Sequence, residues 1–378
     1  PDFAELHNNL GVIYQGVGEI NSALEHLEAA VRIMPEFAEA HCNLGNVLKE
    51  LNQLDKAIEC YKNAVAIKPD LADGYFNIGL MLQDQKKFDS AVKNYEMAIS
   101  INPNYADAHL NLGNVLQDLG QLDESVESYQ KTLVIKKDSI EAHFELGLTF
   151  MQLGKFDAAI ESYKKALSIN PDYDMGHNSL GNALHKIGQL EKARKSYEKA
   201  LSINPGYAEV YFNLGNLMLD LNNMDEAALN YNYALNLKPG IDCNFGNLFH
   251  TKMHLCSWGD FSRNLKELVK KINHNEKTIS PFSLSALVDD AKIQLKNAEI
   301  FAKEIFQKNN TLSKINNYSN HTKIRIGYFS GDFREHPVSY LSAELYKLHD
   351  RNQFEIYAFS FGPDTQDEMN LRIKAGVD

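Results

Sequence analysis

A spacing of 34 residues governs this chain: one short pattern returns seven times between Pro1 and Pro239. A Leu-Gly or Ile-Gly pair marks each copy, at Leu10-Gly11, Leu44-Gly45, Ile78-Gly79, Leu112-Gly113, Leu146-Gly147, Leu180-Gly181 and Leu214-Gly215. A small residue follows at Ala23, Ala57, Ala91, Ser125, Ala159, Ala193 and Ala227, and a second at Ala30, Ala64, Ala98, Thr132, Ala166, Ala200 and Ala234. Between them stand Leu27, Tyr61, Tyr95, Tyr129, Tyr163, Tyr197 and Tyr231. Copies close on Pro35, Pro69, Pro103, Pro171, Pro205 and Pro239, with Lys137 as the exception. A unit of this length cannot bury its own apolar face, so its core must come from stacking on neighbours.

Each mark has a physical reason. The glycine on a first helix, A, removes a side chain so that a second helix, B, can approach. The alanines do the same from helix B, and the tyrosine fills the remaining space. The proline cannot continue helix B and resets the chain. Period and marks together resemble the tetratricopeptide (TPR) repeat, which implies a mostly α protein: a right-handed α-solenoid with a concave inner surface. Residues 1–240 are expected to hold seven repeats. Pro1 stands at a closing-proline position, so the chain is expected to begin inside a repeat.

Residues 241–275 read as a degenerate eighth repeat or cap. Asn247-Leu248 keeps register, but Phe249 replaces the glycine, and Phe261, Leu265 and Leu268 replace Ala, Tyr and Ala. Trp258, the only tryptophan, is expected to anchor that cap's core. Residues 276–322 read as a helical linker. The apolar spacing of Leu284, Leu287, Ile293, Leu295, Ile300, Phe301 and Ile305 gives one or two helices, and 308–322 is rich in Asn, Ser and Lys.

At residue 323 the pattern changes. Ile324 to Phe329 reads as a strand, Gly331 to His336 as a loop, and Pro337 as the first residue of a helix running to about Leu348. A second strand over Phe354–Phe361 and a helix over 364–376 complete the series. Strand, helix, strand, helix begins an α/β domain with a parallel sheet, and 323–378 is too short to finish one.

The formal net charge of −12 disfavours nucleic acid as a partner. Four cysteines without a disulfide framework fit a reducing, cytoplasmic setting. Cys243, His250, His254 and Cys256 match no zinc spacing and are read as packing, so no metal is expected. No long apolar run spans a membrane.

Two groups of residues are candidates for function. Asparagine recurs on helix A at Asn9, Asn43, Asn77, Asn111 and Asn213, broken by Glu145 and Ser179. A second column, Asn46, Asn114, Asn182 and Asn216, follows three residues later on the same face, with Glu50, Asp84, Asp118 and Asp220 four beyond it. A side-chain amide matches the donor and acceptor of a peptide bond, so a ladder of them can hold an extended chain by its backbone. The alternative is that these amides bond neighbouring repeats or face water. His41, His109, His143 and His177 alternate with Tyr75 and Tyr211 at one position and are read as packing residues. The second candidate is the loop Asp332-Phe333-Arg334-Glu335-His336-Pro337, past the carboxyl end of a strand, where open α/β sheets place ligand crevices. His336 there suits a general base or a holder of an acceptor hydroxyl.

The repeats, Trp258-Gly259-Asp260-Phe261, and Ile324-Arg325-Ile326-Gly327-Tyr328-Phe329-Ser330-Gly331-Asp332-Phe333-Arg334-Glu335-His336-Pro337 together resemble the O-GlcNAc transferase/SPINDLY family. Phe354 to Ala358 and Gly362-Pro363-Asp364 are similar to that family's next strand and loop. The resemblance implies an inverting protein O-glycosyltransferase with a two-lobed GT-B fold, its first Rossmann-like lobe beginning at 323. It implies UDP-GlcNAc as donor, Ser/Thr of extended protein substrates as acceptors, and no cofactor. It places His336 as the catalytic residue, with Asp332 and Pro337 in the acceptor-cleft loop. The second histidine that often follows in this family is Tyr340 here. The donor pocket, with its diphosphate-neutralising lysine, is expected in a second lobe beyond Asp378, leaving this stretch able to hold substrates without transferring sugar. GDP-fucose is the alternative donor, and a non-enzymatic TPR scaffold is the alternative class. A carboxylate clamp is disfavoured, since the expected inner face carries Glu50, Asp84, Asp118 and Asp220 rather than lysines. On this reading the helical trough delivers polypeptide to a cleft whose first wall begins at Lys323.

Overall fold

A computed structural model of the protein describes residues 3–305, 323–335, 337–360 and 366–377. It divides into two compact units, Pro1–Ile305 and Phe306–Asp378. Among the described residues no helix is long and apolar enough to cross a membrane.

The first unit opens with seven helical hairpins: α1 (Ala4–Gly16) with α2 (Ile20–Ile33), α3 (Ala38–Glu50) with α4 (Leu54–Ile67), and α5 (Ala72–Asp84) with α6 (Phe88–Ile101). They continue as α7 (Ala106–Asp118) with α8 (Leu122–Ile135), and α9 (Ile140–Gln152) with α10 (Phe156–Ile169). The last two are α11 (Asp174–Lys186) with α12 (Leu190–Ile203), and α13 (Ala208–Asp220) with α14 (Met224–Leu237). Tyr61, Tyr95, Tyr129, Tyr163, Tyr197 and Tyr231 are fully buried, as are the alanines at both small-residue positions. The glycines explain how that is possible. A Cβ on Gly113 would lie 2.6 Å from the Tyr129 ring, and one on Gly147 would lie 2.5 Å from the Tyr163 ring.

Successive A helices, such as α5, α7, α9, α11 and α13, touch one another directly, whereas successive B helices stay further apart. The stack therefore curves with helix A inside, which puts the asparagine columns on the concave face. Each A-to-B turn needs one residue of positive φ, supplied at 34-residue spacing by Gly18, Asn52, Lys86, Gly120, Gly154, Gly188 and Asn222. Glycine and asparagine are the residues that adopt it most readily, and Lys86 does so at a steric cost. The irregular fourth copy satisfies its polar replacements locally. Ser125 Oγ donates to Gly113 O (2.8 Å), Thr132 Oγ1 donates to Ser128 O (3.1 Å), and Ser139 caps α9 by accepting from Ala142 N (3.2 Å).

Next come α15 (Asn244–His254) and α16 (Phe261–Asn273), which meet far less closely than the repeat hairpins do. The reason is a third partner. Cys243 N donates to Lys277 O (2.8 Å) and Gly246 N to Thr278 O (3.1 Å). A Cβ on Gly246 would stand 2.4 Å from Ile279 Cβ, so this glycine seats a non-helical strip on α15. Helices α17 (Pro281–Ser285) and α18 (Ala291–Ile305) pack with α16 around Phe249, Leu268, Ile272, Ile279 and Leu284. Residues 276–305 are therefore part of the first unit rather than a linker. Residues 308–322, also read as linker, lie outside the described residues. Trp258 corrects the expectation of a core anchor: it is 53% exposed. Phe249 and Phe261, with ring centroids 5.5 Å apart, already fill that place, and the indole lies outside them at the turn. Leu295, read as part of the apolar face of α18, is also exposed.

The second unit contains β1 (Ile324–Ser330), α19 (Pro337–Leu348), β2 (Phe354–Ser360) and α20 (Glu368–Lys374). β1 and β2 pair in parallel, with Ile326 opposite Ile356 and Tyr328 opposite Ala358. Phe333, Ala343, Tyr346, Met369 and Ile373 form its core, with Tyr328 and Ala358 packed against them. The opposite sheet face carries the Arg325–Glu355 ion pair (2.7 Å) and the stacked rings of Phe329 and Phe359, 4.6 Å apart, of which Phe329 is 70% exposed.

Candidate peptide groove and acceptor loop

The two asparagine columns differ in what they bond. In the first, Asn43 Nδ2 donates to Asn8 Oδ1 (2.8 Å) and Asn213 Nδ2 to Asn178 Oδ1 (2.9 Å), each reaching back to the preceding repeat. Asn77 Nδ2 contacts Cys42 Sγ (3.8 Å), a buried thiol whose pKa burial pushes up to about 11, so it stays a neutral acceptor. Asn111 Nδ2 donates to Asp107 O (2.8 Å) on its own helix, and Asn9 is exposed. Inter-repeat bonding, weighed above as the alternative, thus accounts for part of this column. Yet each of these four amides uses one N–H, and among the described residues its Oδ1 and second N–H have no hydrogen-bond partner.

In the second column the oxygen is used instead. Asn46, Asn114, Asn182 and Asn216 accept from the hydroxyls of Tyr61, Tyr129, Tyr197 and Tyr231 at 2.7–2.9 Å. The phenol fixes each amide's orientation, so its N–H pair is left to serve as donors. Sequence reasoning missed this coupling, because the partners lie 15 residues apart across a hairpin. Where Leu80 replaces the asparagine, Tyr95 donates to Gln83 Oε1 (2.7 Å). Where Leu148 replaces it and Met151 stands at the Gln position, the buried Tyr163 hydroxyl makes no hydrogen bond of good geometry among the described residues, Ser179 being the polar side chain beside it.

That contrast gives a prediction. Tyr197→Phe should cost about 0.5–1.5 kcal/mol, the net worth of a hydrogen bond. Tyr163→Phe should be neutral or stabilising, because it removes an unsatisfied polar group. Urea unfolding of the two variants compares them directly.

Asn182, His185, Lys186, Asn213, Asn216 and Asp220, with Met151, line a concavity of 590 Å³. His185 Nε2 meets Asp220 Oδ2 at 2.6 Å between adjacent repeats. The histidine column faces elsewhere. His41, His109, His143 and His177 each use Nε2 to contact a carbonyl six residues back, that of Pro35, Pro103, Lys137 or Pro171, at 2.9–3.1 Å. They fasten the inter-repeat turn, as a packing role requires.

In the second unit, side chains from α19, from α20 and from Asp367 just before it tether the loop after β1. Asn370 Nδ2 donates to Phe333 O (2.6 Å), Asp367 Oδ2 accepts from Glu335 N (3.0 Å), and Ser339 Oγ donates to Asp332 O. The ring of Phe333, beneath the loop, is buried against Tyr346. Asp332 pairs with Arg334 (3.6 Å), and Pro337 is the first residue of α19. His336 and Gly362-Pro363-Asp364 lie outside the described residues. Tyr340 is exposed.

Comparison with known proteins follows the same division. The TPR family model matches residues 17–51, 45–86, 79–120, 114–154, 147–188 and 181–222, more than half of the chain, and a second TPR model matches 208–241. The chain belongs to the TPR family. Residues 255–378 of this TPR protein match the model of glycosyl transferase family 41, the family type that the loop motif resembles. The chain is 29% identical over 137 residues to the UDP-N-acetylglucosamine–peptide N-acetylglucosaminyltransferase of Caenorhabditis elegans, covering 32% of this chain and 12% of that protein. It is 32% identical over 53 residues to a probable enzyme of the same name, SEC, of Arabidopsis thaliana, covering 14% of this chain and 5% of that protein. The chain thus spans a small part of the curated relatives it matches. Among solved structures, that of MamA is 29% identical with a TM-score of 0.41, covering 43% of this chain and 95% of MamA.

Proposed function

We propose that this TPR protein acts in protein O-glycosylation, transferring N-acetylglucosamine from UDP-GlcNAc to Ser/Thr hydroxyls of polypeptides held extended along the array. The observation that carries the reading is the match of residues 255–378 to glycosyl transferase family 41, running on from the repeats. The groove supports it chemically. Among the described residues Asn43, Asn77, Asn111 and Asn213 keep an acceptor and a donor unspent, while Asn46, Asn114, Asn182 and Asn216 keep donors only. A mixed row of this kind can pair with backbone amides of any sequence. Asn9 extends the first column at the start of the array.

Inverting transfer needs a group that receives or orients the proton of the attacking hydroxyl. His336 is assigned that role, with Asp332 and Pro337 on the same loop. The tethers from Ser339, Asp367 and Asn370 hold the loop backbone at Asp332, Glu335 and Phe333, and a positioned base requires a held loop. The chain's own contribution is substrate binding and placement of that loop. The nucleotide sugar is a substrate, and no cofactor is invoked.

The test is to incubate the complete protein with UDP-GlcNAc or GDP-fucose and an acceptor protein, and to detect the modified residue by mass spectrometry. Addition of N-acetylhexosamine to Ser/Thr is expected. Addition of deoxyhexose would replace the donor, and no transfer from either would leave a TPR scaffold.

A further inference from the structure

The asparagine ladder breaks in the fifth repeat, and the break has its own chemistry. At the position held by Asn43, Asn77, Asn111 and Asn213 stands Glu145. One helical turn on, Leu148 replaces the amide found at Asn114 and Asn182, and another turn on Met151 replaces Gln117 and His185. A charged residue is thus followed by two apolar ones on a strip that is polar in its neighbours.

Glu145 is half-buried, and among the described residues its carboxylate has neither an ion pair nor a hydrogen bond. Burial, then the charges of Glu141 and Asp118, raise its pKa, and among the described residues no cation acts to lower it. The neighbouring Tyr163 is fully buried, and among the described residues its hydroxyl, beside Ser179, makes no hydrogen bond of good geometry. Its counterparts Tyr129 and Tyr197 end on the groove amides Asn114 and Asn182, and at the equivalent position Leu148 offers no acceptor. Burial first, and then the charge of Glu145, disfavour its ionisation. Met151 lines the concavity shared with Asn182 and Asn213, and Leu148, one turn before it on the same helix, is only partly buried. A carboxylate left half-desolvated without a counter-charge gains most from a cation that arrives with the ligand. Lysine and arginine join such a cation to an apolar stem of several carbons.

We propose that Glu145, Leu148 and Met151 form a subsite for a lysine or arginine side chain of the bound polypeptide. The carboxylate takes the charged head, and Leu148 and Met151 take the methylene stem. The inference rests on the peptide-holding reading of the ladder. Asparagine rungs read backbone and are indifferent to sequence, whereas this rung adds a preference for a basic residue at one register.

The test uses the whole chain and labelled extended peptides of Ser, Thr, Pro and Ala. One series carries a single lysine moved one place at a time, and each member has a glutamine twin. Fluorescence anisotropy should show lysine tightening binding by about tenfold at one register, less so at high salt. Glu145→Gln should remove that gain and leave the twin unchanged. Glu145→Lys should transfer the preference to a glutamate-bearing peptide. If lysine gains nothing at any register, or its gain survives Glu145→Gln, the subsite is wrong while the ladder stands. If neither lysine nor glutamine peptides bind, the ladder reading fails and takes the subsite with it.

Discussion

Tyr129→Ala is expected to destabilise the array by about 3–5 kcal/mol, the range for truncating a buried aromatic side chain. Tyr129 is fully buried, wedged over Gly113, and its hydroxyl donates to Asn114 Oδ1 (2.7 Å) and Gln117 Oε1 (3.1 Å). Gly113 has no side chain with which to refill the space, and the Ala and Leu neighbours are set by the stacking of adjacent repeats. The cavity therefore persists. Because each repeat touches only its neighbours, the loss should concentrate around the fourth repeat. Hydrogen exchange should show faster opening of α7 and α8 than of α1 or α13. A loss below about 1 kcal/mol in urea unfolding would mean that the helices close over the gap, and the wedge account would fail.

The second large effect concerns chemistry. In the complete protein, His336→Ala should lower kcat by about 10²–10⁴-fold, the contribution of a positioned general base, with little change in peptide affinity. The split matters, because the ladder and the loop are assigned different jobs. A variant that loses affinity but keeps kcat would move His336 out of the chemical step. His336→Gln, which keeps a polar side chain, should recover less than a tenth of the rate if proton transfer is its role, and much more if it only orients the hydroxyl.

The repeat architecture was legible because register carries it. Gly113 and Tyr129 must meet if the period holds, and they do. The histidine column was legible for a similar reason: exchange with tyrosine marks a structural position, and His41 fastens the turn at Pro35 O. What escaped depends on partners whose distance in sequence no period marks. The Tyr197–Asn182 bond crosses a hairpin, and Gly246 makes room for Thr278 and Ile279, which the periodic pattern does not reach. The anchors of the loop after β1, Asp367 and Asn370, lie 32 and 37 residues from their partners Glu335 and Phe333. Trp258 misled because a lone tryptophan suggests a core, and two phenylalanines had filled it.

The same uneven legibility applies to the ladder. Residue type and spacing identified both columns, but not that the second has its oxygens claimed by tyrosines or that Asn43 and Asn213 reach back to the preceding repeat. These bonds turn a uniform row of amides into two kinds of rung. They also explain why asparagine is kept where a smaller polar residue would satisfy the surface.

The central claim is that the inner face of helix A holds extended polypeptide by its backbone. It is tested most directly by titrating one Ser/Thr-rich peptide into the wild-type chain and into the Asn43→Ala, Asn77→Ala, Asn111→Ala triple variant, with helicity measured alongside. The account predicts at least about a tenfold loss of affinity from three lost rungs, with helicity retained. Equal affinity in a folded triple variant would contradict it.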